Sequence, residues 1–206
     1  MSKPEDAAAH ETSLAVWDVT SPVVAGRRAT LKVGLACSSG GDCDLTGSRI
    51  DVYNQAGIRV GGGTLGSAPW PATTALYWTD IEVAAPEAEG EHSWSVQATV
   101  QDSSHGPATS MVRVIAVRPP EHRVTLKAIQ KGTAVPLAGV QLRMGVFRAA
   151  TNEAGIAQIE VPGGTYDVVA WERGFDILSR SVDVAADVSV QLELAATTDP
   201  DPPYWM

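Results

Sequence analysis

Short segments in which apolar and polar residues alternate recur along the whole chain, with Gly, Pro, Asn or Asp between them. Alternation with a period of two places every second side chain on one face, which is the pattern of a half-buried β-strand. Residues 188–194 show it most clearly, because Val and Leu alternate there with Ser, Gln and Glu. Helical patterns are nearly absent, and the Ala/Glu-rich residues 84–91 are interrupted by Pro86 and Gly90. The sequence therefore predicts an all-β protein built as a sandwich or a barrel.

A break in the strand pattern divides the chain into two parts. Pro119 and Pro120 stiffen the backbone there and remove two hydrogen-bond donors. Roughly seven predicted strands precede this break and roughly seven follow it, which is enough for one small sandwich on each side. The length of 206 residues also allows two small domains. We predict two tandem β-sandwiches in this order: an N-terminal tail at 1–10, a first sandwich at 11–118, a Pro-rich linker at 119–121, a second sandwich at 122–195 and an extended C-terminal tail at 196–206.

The charge of the chain argues against two classes of partner. Acidic residues outnumber basic ones 24 to 15, the formal net charge is −9, and the Lys and Arg residues are scattered singly. A protein that binds nucleic-acid phosphates or an anionic membrane surface needs a basic face. No apolar run approaches the ~20 residues needed to span a bilayer. We therefore predict neither a nucleic-acid partner nor a membrane partner.

The N-terminal residues 1–12 lack the apolar stretch of a secretory signal peptide. We therefore expect a cytoplasmic protein for the chain as written, and a periplasmic or secreted one if a signal peptide has been removed. Two cysteines in 206 residues are also far fewer than a disulfide scaffold contains.

Cys37 and Cys43 lie close together in the sequence, and Gly40 and Gly41 make a tight loop between them feasible. We interpret them as a reduced pair at the end of a strand, because Cys37 has the same parity as the apolar residues of that strand. A local disulfide is one alternative, and it would require an oxidising compartment. A metal pair is the other, although structural zinc takes four ligands and no second pair of Cys or His residues is apparent.

Sequence motifs for catalysis or cofactor binding are not found. The histidines His10, His92, His105 and His122 are scattered without the spacing of metal ligands, so we interpret them as exposed or loop residues. The glycines at 61–63 end a predicted strand and precede no helix, so we interpret them as a flexible turn rather than a nucleotide-binding loop. No Gly-x-Ser-x-Gly motif and no convergent set of titratable groups is apparent. We therefore predict no metal, no cofactor and no enzymatic activity.

Turn-forming segments recur in the second half of the chain, at 136–142 (PLAGVQL), 150–155 (ATNEAG), 161–166 (VPGGTY) and 171–175 (WERGF). Asn152 can bond the backbone two residues on, and Gly155 can take a positive φ, which closes a hairpin. Gly163 and Gly164 form a turn that delivers Tyr166 into the next strand. We regard these two glycines, Gly155, Tyr166 and the two cysteines as structural residues.

As a set, these segments resemble the carboxypeptidase regulatory-like domain. That domain is a small transthyretin-like β-sandwich, and it is also akin to the B-type repeats of Gram-positive adhesins. The resemblance implies a structural or interaction role for the second half of the chain, because such domains are usually accessory to another protein.

The first half resembles an immunoglobulin-like sandwich in its general pattern. Cys37 and Trp78 lie where an immunoglobulin domain has its first cysteine and its tryptophan. The predicted strand at 92–100 has no second cysteine, and Trp94 takes a position with core parity there. This departure separates the chain from the true immunoglobulin superfamily and leaves the sandwich prediction intact.

Tryptophan and tyrosine dominate the aromatic residues, with six Trp and four Tyr against two Phe. This bias suits surfaces that have an apolar side and a polar handle. We assign Trp17, Trp94 and Trp171 to the cores, because each lies in a predicted strand. Trp70 lies in a loop between two prolines, and Trp78 has the opposite parity to the apolar residues of its strand. We therefore name these last two as candidate binding residues that are exposed, with ordinary packing at the edge of the sandwich as the alternative.

In the C-terminal tail, Tyr204 and Trp205 precede the last residue, Met206, and follow a Pro/Asp-rich stretch that suits neither a strand nor a helix. We expect this aromatic end to insert into a larger partner subunit. The sequence thus predicts a non-catalytic accessory or scaffold subunit that makes protein–protein contacts within a larger bacterial enzyme or assembly. The alternative is a pair of carbohydrate-binding modules that act through Trp70 and Trp78, because exposed tryptophans can stack on sugar rings or anchor an interface.

Overall fold

The computed structural model describes residues 10–38, 43–101 and 105–197. Across these three ranges the chain forms fifteen strands and no helix, which confirms the predicted all-β class. The same ranges contain no helix that is long and apolar enough to cross a membrane. The chain divides into two compact units, which meet in the sequence between Val117 and Arg118.

The first unit contains eight strands: β1 (Thr12–Trp17), β2 (Val23–Val24), β3 (Arg28–Cys37), β4 (Arg49–Tyr53), β5 (Arg59–Thr64), β6 (Leu76–Ala84), β7 (Gly90–Thr99) and β8 (Ala108–Val117). They are hydrogen-bonded in the order β1-β3-β6-β5-β4-β7-β8-β2. β5 and β6 are joined only through Gly61 and Val83, and the sheet folds there into two layers. Buried residues of both layers, such as Val33 and Val96, share one core. This is the architecture of an immunoglobulin-like β-sandwich.

Local turn chemistry accounts for the hairpin between β4 and β5. The Asn54 side-chain oxygen accepts hydrogen bonds of 3.0 Å from the backbone N–H groups of Ala56 and Ile58. Gly57 takes a positive φ of 73°, which glycine adopts at little cost.

Strand β2 was not predicted from the sequence. It has two residues and pairs in parallel with β8, so it is too short to show the alternation by which strands are recognised.

The glycines at 61–63 lie inside β5, and the prediction of a flexible turn there was wrong. A Cβ atom on Gly61 would lie 2.5 Å from the carbonyl oxygen of Glu82 and 2.6 Å from Cγ1 of Val83. A Cβ atom on Gly63 would meet Cγ1 of Ile81 at an ordinary 3.7 Å. The absence of a side chain at position 61 is therefore what lets β5 approach β6.

We expect Gly61→Ala to lower the free energy of unfolding by about 1–3 kcal/mol, the usual result of forcing an extra carbon into a packed site. Gly63→Ala is the matched control, and it should leave that free energy unchanged or raise it by about 0.4–1 kcal/mol. Urea unfolding followed by tryptophan fluorescence measures both variants. Equal stabilities of the two variants would contradict this role of Gly61.

The second unit contains seven strands: β9 (His122–Gln130), β10 (Gln141–Met144), β11 (Phe147–Ala150), β12 (Ile156–Val161), β13 (Gly164–Trp171), β14 (Leu178–Val184) and β15 (Val188–Leu194). One sheet has the order β11-β10-β13-β14 and the other the order β12-β9-β15, with β15 parallel to β9. The alternating apolar residues of both sheets form a single buried cluster. The unit is a β-sandwich of four strands on three.

Gly155 closes the hairpin that leads into β12, as its sequence context predicts. Its φ is 71°, and a Cβ atom there would lie 2.6 Å from the carbonyl oxygen of Ala128. The Asn152 side-chain oxygen accepts hydrogen bonds of 3.0 Å from the backbone N–H groups of Ala154 and Ile156. Both the conformation and the close approach thus require glycine.

The turn before β13 is held by its neighbours on both sides. The backbone N–H of Gly163 donates a 3.2 Å hydrogen bond to the carboxylate of Glu121, and Gly164 has a φ of 156°. The Tyr166 hydroxyl donates a 2.8 Å hydrogen bond to the carbonyl oxygen of Pro162. Tyr166 thereby fastens the turn to the strand that the turn begins.

Both predicted tails are partly paired. His10, which we assigned to the N-terminal tail, forms a parallel β-bridge with His105. Ala196, which we assigned to the C-terminal tail, forms a bridge with Phe175. Backbone pairing therefore reaches His10 and Ala196, and residues 1–9 and 198–206 lie outside the described residues.

Candidate functional site

Two tryptophans lie on the outer face of the layer formed by β1, β3 and β6. The odd-numbered residues 31–35 of β3 are no more than 1% exposed and face the core, so Lys32 and Gly34 project from the opposite face. Trp17 of β1 pairs with Lys32, and Trp78 of β6 pairs with Gly34. Directly opposed side chains of antiparallel strands share a face. Both indole rings therefore lie on the side of the sheet that faces away from the core.

Gly34 provides the space in which the ring of Trp17 lies. A Cβ atom at position 34 would lie 2.9 Å from two carbons of the Trp17 ring and 2.8 Å from Cδ1 of Leu76. Such distances are shorter than packed carbon atoms tolerate. The missing side chain therefore allows the indole to lie across β3.

A third tryptophan is brought to the same face by the loop that precedes β6. The Trp70 backbone N–H donates a 2.7 Å hydrogen bond to the carbonyl oxygen of Leu76, and the Thr73 side chain donates to the carbonyl oxygen of Trp70. The Trp70 ring centroid is 5.1 Å from that of Trp17 and 4.8 Å from that of Trp78, both edge-to-face. We call these three residues the tryptophan cluster. Edge-to-face packing at such distances is favourable beyond the burial of area.

A lysine held between two carboxylates lies beside the tryptophan cluster. Lys32 Nζ lies 2.8 Å from Oδ1 of Asp80, 3.9 Å from Oδ2 of Asp18 and 5.6 Å from the centre of the Trp78 ring. The hydrogen bond with Asp80 raises the pKa of the Lys32 ammonium above its ordinary value, although desolvation acts in the opposite direction. The cation therefore persists at physiological pH, over an aromatic face that attracts it.

An open groove of about 410 Å³ adjoins the tryptophan cluster. Its lining combines a tryptophan with small residues, two hydroxyl groups and one carboxylate: Gly66, Ser67, Ala68, Trp78, Thr79 and Asp80. The groove thus places an aromatic surface beside hydrogen-bonding groups.

The structure brings the predicted binding residues together in part. Trp78 faces outward, as its parity predicts, and Trp70 packs beside it. Both are half-buried rather than fully exposed, because each ring covers part of another. Tyr204 and Trp205 lie outside the described residues.

The assignments to the cores were right for one tryptophan of three. Trp94 is 1% exposed, whereas Trp17 and Trp171 are half-buried. Trp17 has the opposite parity to Leu14 and Val16, which pack against the core. That parity was the feature of the sequence from which its outward position could have been predicted.

The two cysteines are joined in a disulfide, so the prediction of a reduced pair was wrong. Cys37 ends β3, Cys43 lies six residues further along the chain, and each is 7% exposed. Their Cα atoms are 6.3 Å apart, within the range that a disulfide spans. Folding places both sulfur atoms in the core of the first unit. The short separation of the two cysteines in sequence did not by itself decide between a disulfide and a reduced pair.

Two histidines, His10 and His105, lie beside this disulfide. The sequence pattern did not predict that either would lie near the cysteines. Nδ1 of His10 is 3.6 Å from Sγ of Cys43, and the His10 ring centroid is 5.2 Å from that of His105. One nitrogen of each histidine and the two sulfur atoms all lie within 4.8 Å of one another. We call these four residues the cysteine–histidine cluster. His10 and His105 are distant in sequence from the two cysteines and from each other, so no spacing pattern could have revealed the cluster.

No family model matches the chain, and comparison with curated protein sequences finds no significant match. Among solved structures it is similar to the major pilin subunit BcpA of Bacillus cereus, at 8% identity over 89% of this chain and 71% of that one, with a TM-score of 0.33. It is also similar to the CARDB domain of a Pyrococcus furiosus protein, at 15% identity over 54% of this chain and 98% of that one, with a TM-score of 0.36. The Yersinia pseudotuberculosis adhesin InvE matches 87% of this chain with 61% of its own, at 15% identity and a TM-score of 0.30. Likenesses of this size transfer no activity, ligand or partner to this chain.

Proposed function

We propose that the chain is a non-catalytic accessory or scaffold subunit whose tryptophan cluster binds a partner protein within a larger bacterial enzyme or assembly. The observation that carries the proposal is the position of Trp17, Trp70 and Trp78 on the outer face of a sheet whose other face already covers the core. These rings are not needed to fill that core. Tryptophan is also among the residues that contribute most to protein interfaces.

The geometry of the tryptophan cluster suits a protein partner. Each ring is held by contact with another, so little side-chain freedom remains to be lost on binding. An ion-pair group flanks the cluster, with Lys32 Nζ at 2.8 Å from Asp80 and 3.9 Å from Asp18. An apolar centre with a polar rim is the usual anatomy of a binding surface. The charged rim would set the orientation of the partner more than its affinity.

For the second domain we propose a carboxypeptidase regulatory-like fold with an accessory role. The support is the arrangement of four strands on three, together with the two predicted turns at Gly155 and Gly163–Gly164. We propose a cytoplasmic location, with a periplasmic or secreted one as the alternative, and the disulfide between Cys37 and Cys43 would persist in the latter.

The proposal is tested by capture of partners from the native host with the tagged full chain and with its Trp70→Ala variant. We expect the variant to retain at least about tenfold less of the main stoichiometric partner, because interface tryptophans often contribute more than 2 kcal/mol. Met111→Ala is the control, since Met111 is an exposed apolar residue on β8 of the same domain. Thermal unfolding must show that both variants are folded. Equal capture by the two variants would contradict the proposal.

The C-terminal aromatic residues Tyr204 and Trp205 are a second proposed contact with the same partner. Deletion of 198–206 removes them and retains Thr197, whose backbone N–H donates a 2.9 Å hydrogen bond to the carbonyl oxygen of Gly174. We expect the truncated chain to form less complex on size exclusion. An unchanged elution position of the complex would exclude this role of the tail.

Carbohydrate binding is the second candidate function, and the groove beside Trp78 favours it. Ser67, Thr79 and Asp80 line this groove and could bond sugar hydroxyls next to an aromatic ring. Lys32 lies over the Trp78 ring and would have to move if a sugar stacked on that face. Glycan-array binding that Trp70→Ala abolishes would support this function over the first.

A further inference from the structure

The cysteine–histidine cluster contains the donor set of a closed zinc site. Zinc in structural sites takes four ligands in a tetrahedron, drawn mainly from cysteine thiolates and histidine nitrogens. Cys37 and Cys43 supply two sulfur atoms, and His10 and His105 supply one nitrogen each. The four atoms lie within 4.8 Å of one another. In a tetrahedral zinc site the ligand atoms are about 3.3–3.8 Å apart, so shifts of about 1 Å would complete the geometry.

The fold assembles this donor set from segments that are far apart in sequence. Thr12 of β1 pairs with Cys37 of β3, which sets the start of β1 beside the end of β3. The bridge between His10 and His105 then brings the segment before β8 to the same place. A disulfide by itself requires no imidazole, yet the rings of His10 and His105 both lie beside this one. Both cysteines are 7% exposed, so the sulfur side of the cluster is shielded from water, whereas His10 lies on its exposed side.

We propose that the protein binds one Zn²⁺ through Cys37, Cys43, His10 and His105 when the disulfide is reduced. The two states exclude each other, because a sulfur atom in a disulfide is not a thiolate ligand. The cluster therefore holds either a disulfide or a zinc ion, and the redox state of the compartment selects between them. In either state Cys37 at the end of β3 is fastened to Cys43.

A dithiol reductant gives two electrons and two protons to the bond between the two sulfur atoms and becomes a disulfide itself, which leaves Cys37 and Cys43 as thiols. Zinc binding then displaces both thiol protons to solvent. The resulting site has two thiolates, two neutral imidazoles and one divalent cation, and so carries no net charge. Such neutrality suits a site at the edge of an apolar core.

The first test is metal binding by the full chain, treated with a phosphine reductant or left oxidised. We expect one Zn²⁺ per reduced chain and none per oxidised chain, measured by competition with a chromophoric chelator. Co²⁺ in place of Zn²⁺ should give the ligand-field bands of a tetrahedral site and thiolate-to-metal charge transfer. Stoichiometric binding by the oxidised chain, or its absence from the reduced chain, would overturn the proposal.

The second test assigns the ligands by substitution. His10→Ala and His105→Ala should each weaken zinc binding by at least about 100-fold, because the loss of an outer-shell partner alone costs about 10–100-fold. His92→Ala and His122→Ala are the matched controls and should bind as the wild type does. Thermal unfolding of each oxidised variant checks that it is folded. If a variant does not fold, the reduced wild-type chain still tests zinc binding. Its unfolding temperature must rise with Zn²⁺ concentration. Histidine variants that bind like their controls would show that the imidazoles are not ligands.

Discussion

Gly34→Val is expected to destabilise the first domain by about 3 kcal/mol, the upper end of the usual range for overpacking. A side chain at this position would meet the Trp17 ring and Leu76 at less than 3.0 Å. The ring could then no longer lie across β3, and the tryptophan cluster would lose one of its three members. The same variant should therefore capture at least about tenfold less of the partner, as expected for the loss of an interface anchor.

Urea unfolding and partner capture measure these two effects of Gly34→Val. Thr30→Val is the control, because Thr30 is an exposed residue on the same face of β3. The double variant Gly34→Val, Trp17→Ala removes the obstructing ring and should recover part of the stability, with a coupling energy of about 1–3 kcal/mol. Strictly additive effects of the two substitutions would show that Gly34 does not accommodate Trp17.

Asp51→Asn is the second substitution with a large expected effect. Asp51 is 8% exposed although it lies in β4 between the core residues Ile50 and Val52 and so faces away from the core. Arg49 and Arg59 cover it, with Arg49 Nε at 2.7 Å from Oδ2 and Arg59 Nε bonded to Oδ1. Burial acts to raise the pKa of the Asp51 carboxyl, but the hydrogen bonds from Arg59 and Arg49 outweigh it and lower the pKa below its ordinary value.

We expect Asp51→Asn to lower the free energy of unfolding at neutral pH by about 1.5–3 kcal/mol, the contribution of hydrogen bonds to a charged group. Because the pKa is lower in the folded state, the contribution is complete above the ordinary carboxyl pKa of about 3.9. It is lost as the pH falls through the lowered value of the folded state. The difference between wild type and variant should therefore shrink in acid.

Urea unfolding of the wild type and Asp51→Asn across a pH series tests this dependence. Glu82→Gln is the matched control, because it removes a carboxylate from an exposed ion pair with Arg28, which is worth at most about 1 kcal/mol. A stability difference for Asp51→Asn that stays constant from neutral pH into acid would contradict the proposed contribution of the charge.

The strands and several turns follow from local features of the sequence. Residues 188–194 form a strand because their alternation marks one buried face. Asn54 and Asn152 close hairpins because a side-chain oxygen can bond the backbone just ahead of it. The orientation of Trp78 also follows from its parity. Features of this kind depend on a residue and its near neighbours, so a single sequence contains them.

The two sites depended on tertiary structure instead. Trp17, Trp70 and Trp78 meet because β1 and β6 flank β3 in one register and because Gly34 leaves space between them. The cysteine–histidine cluster forms because the same pairing sets the start of β1 beside Cys37, with the segment before β8 next to it.

By itself, the sequence determined the all-β class, the position of most strands and the outward face of Trp78. Only the tertiary structure decided which outward side chains meet and that His10 and His105 lie against the cysteines. The physical reason is that strand pairing joins residues far apart in the chain, and its register is selected by the whole core rather than by any local pattern.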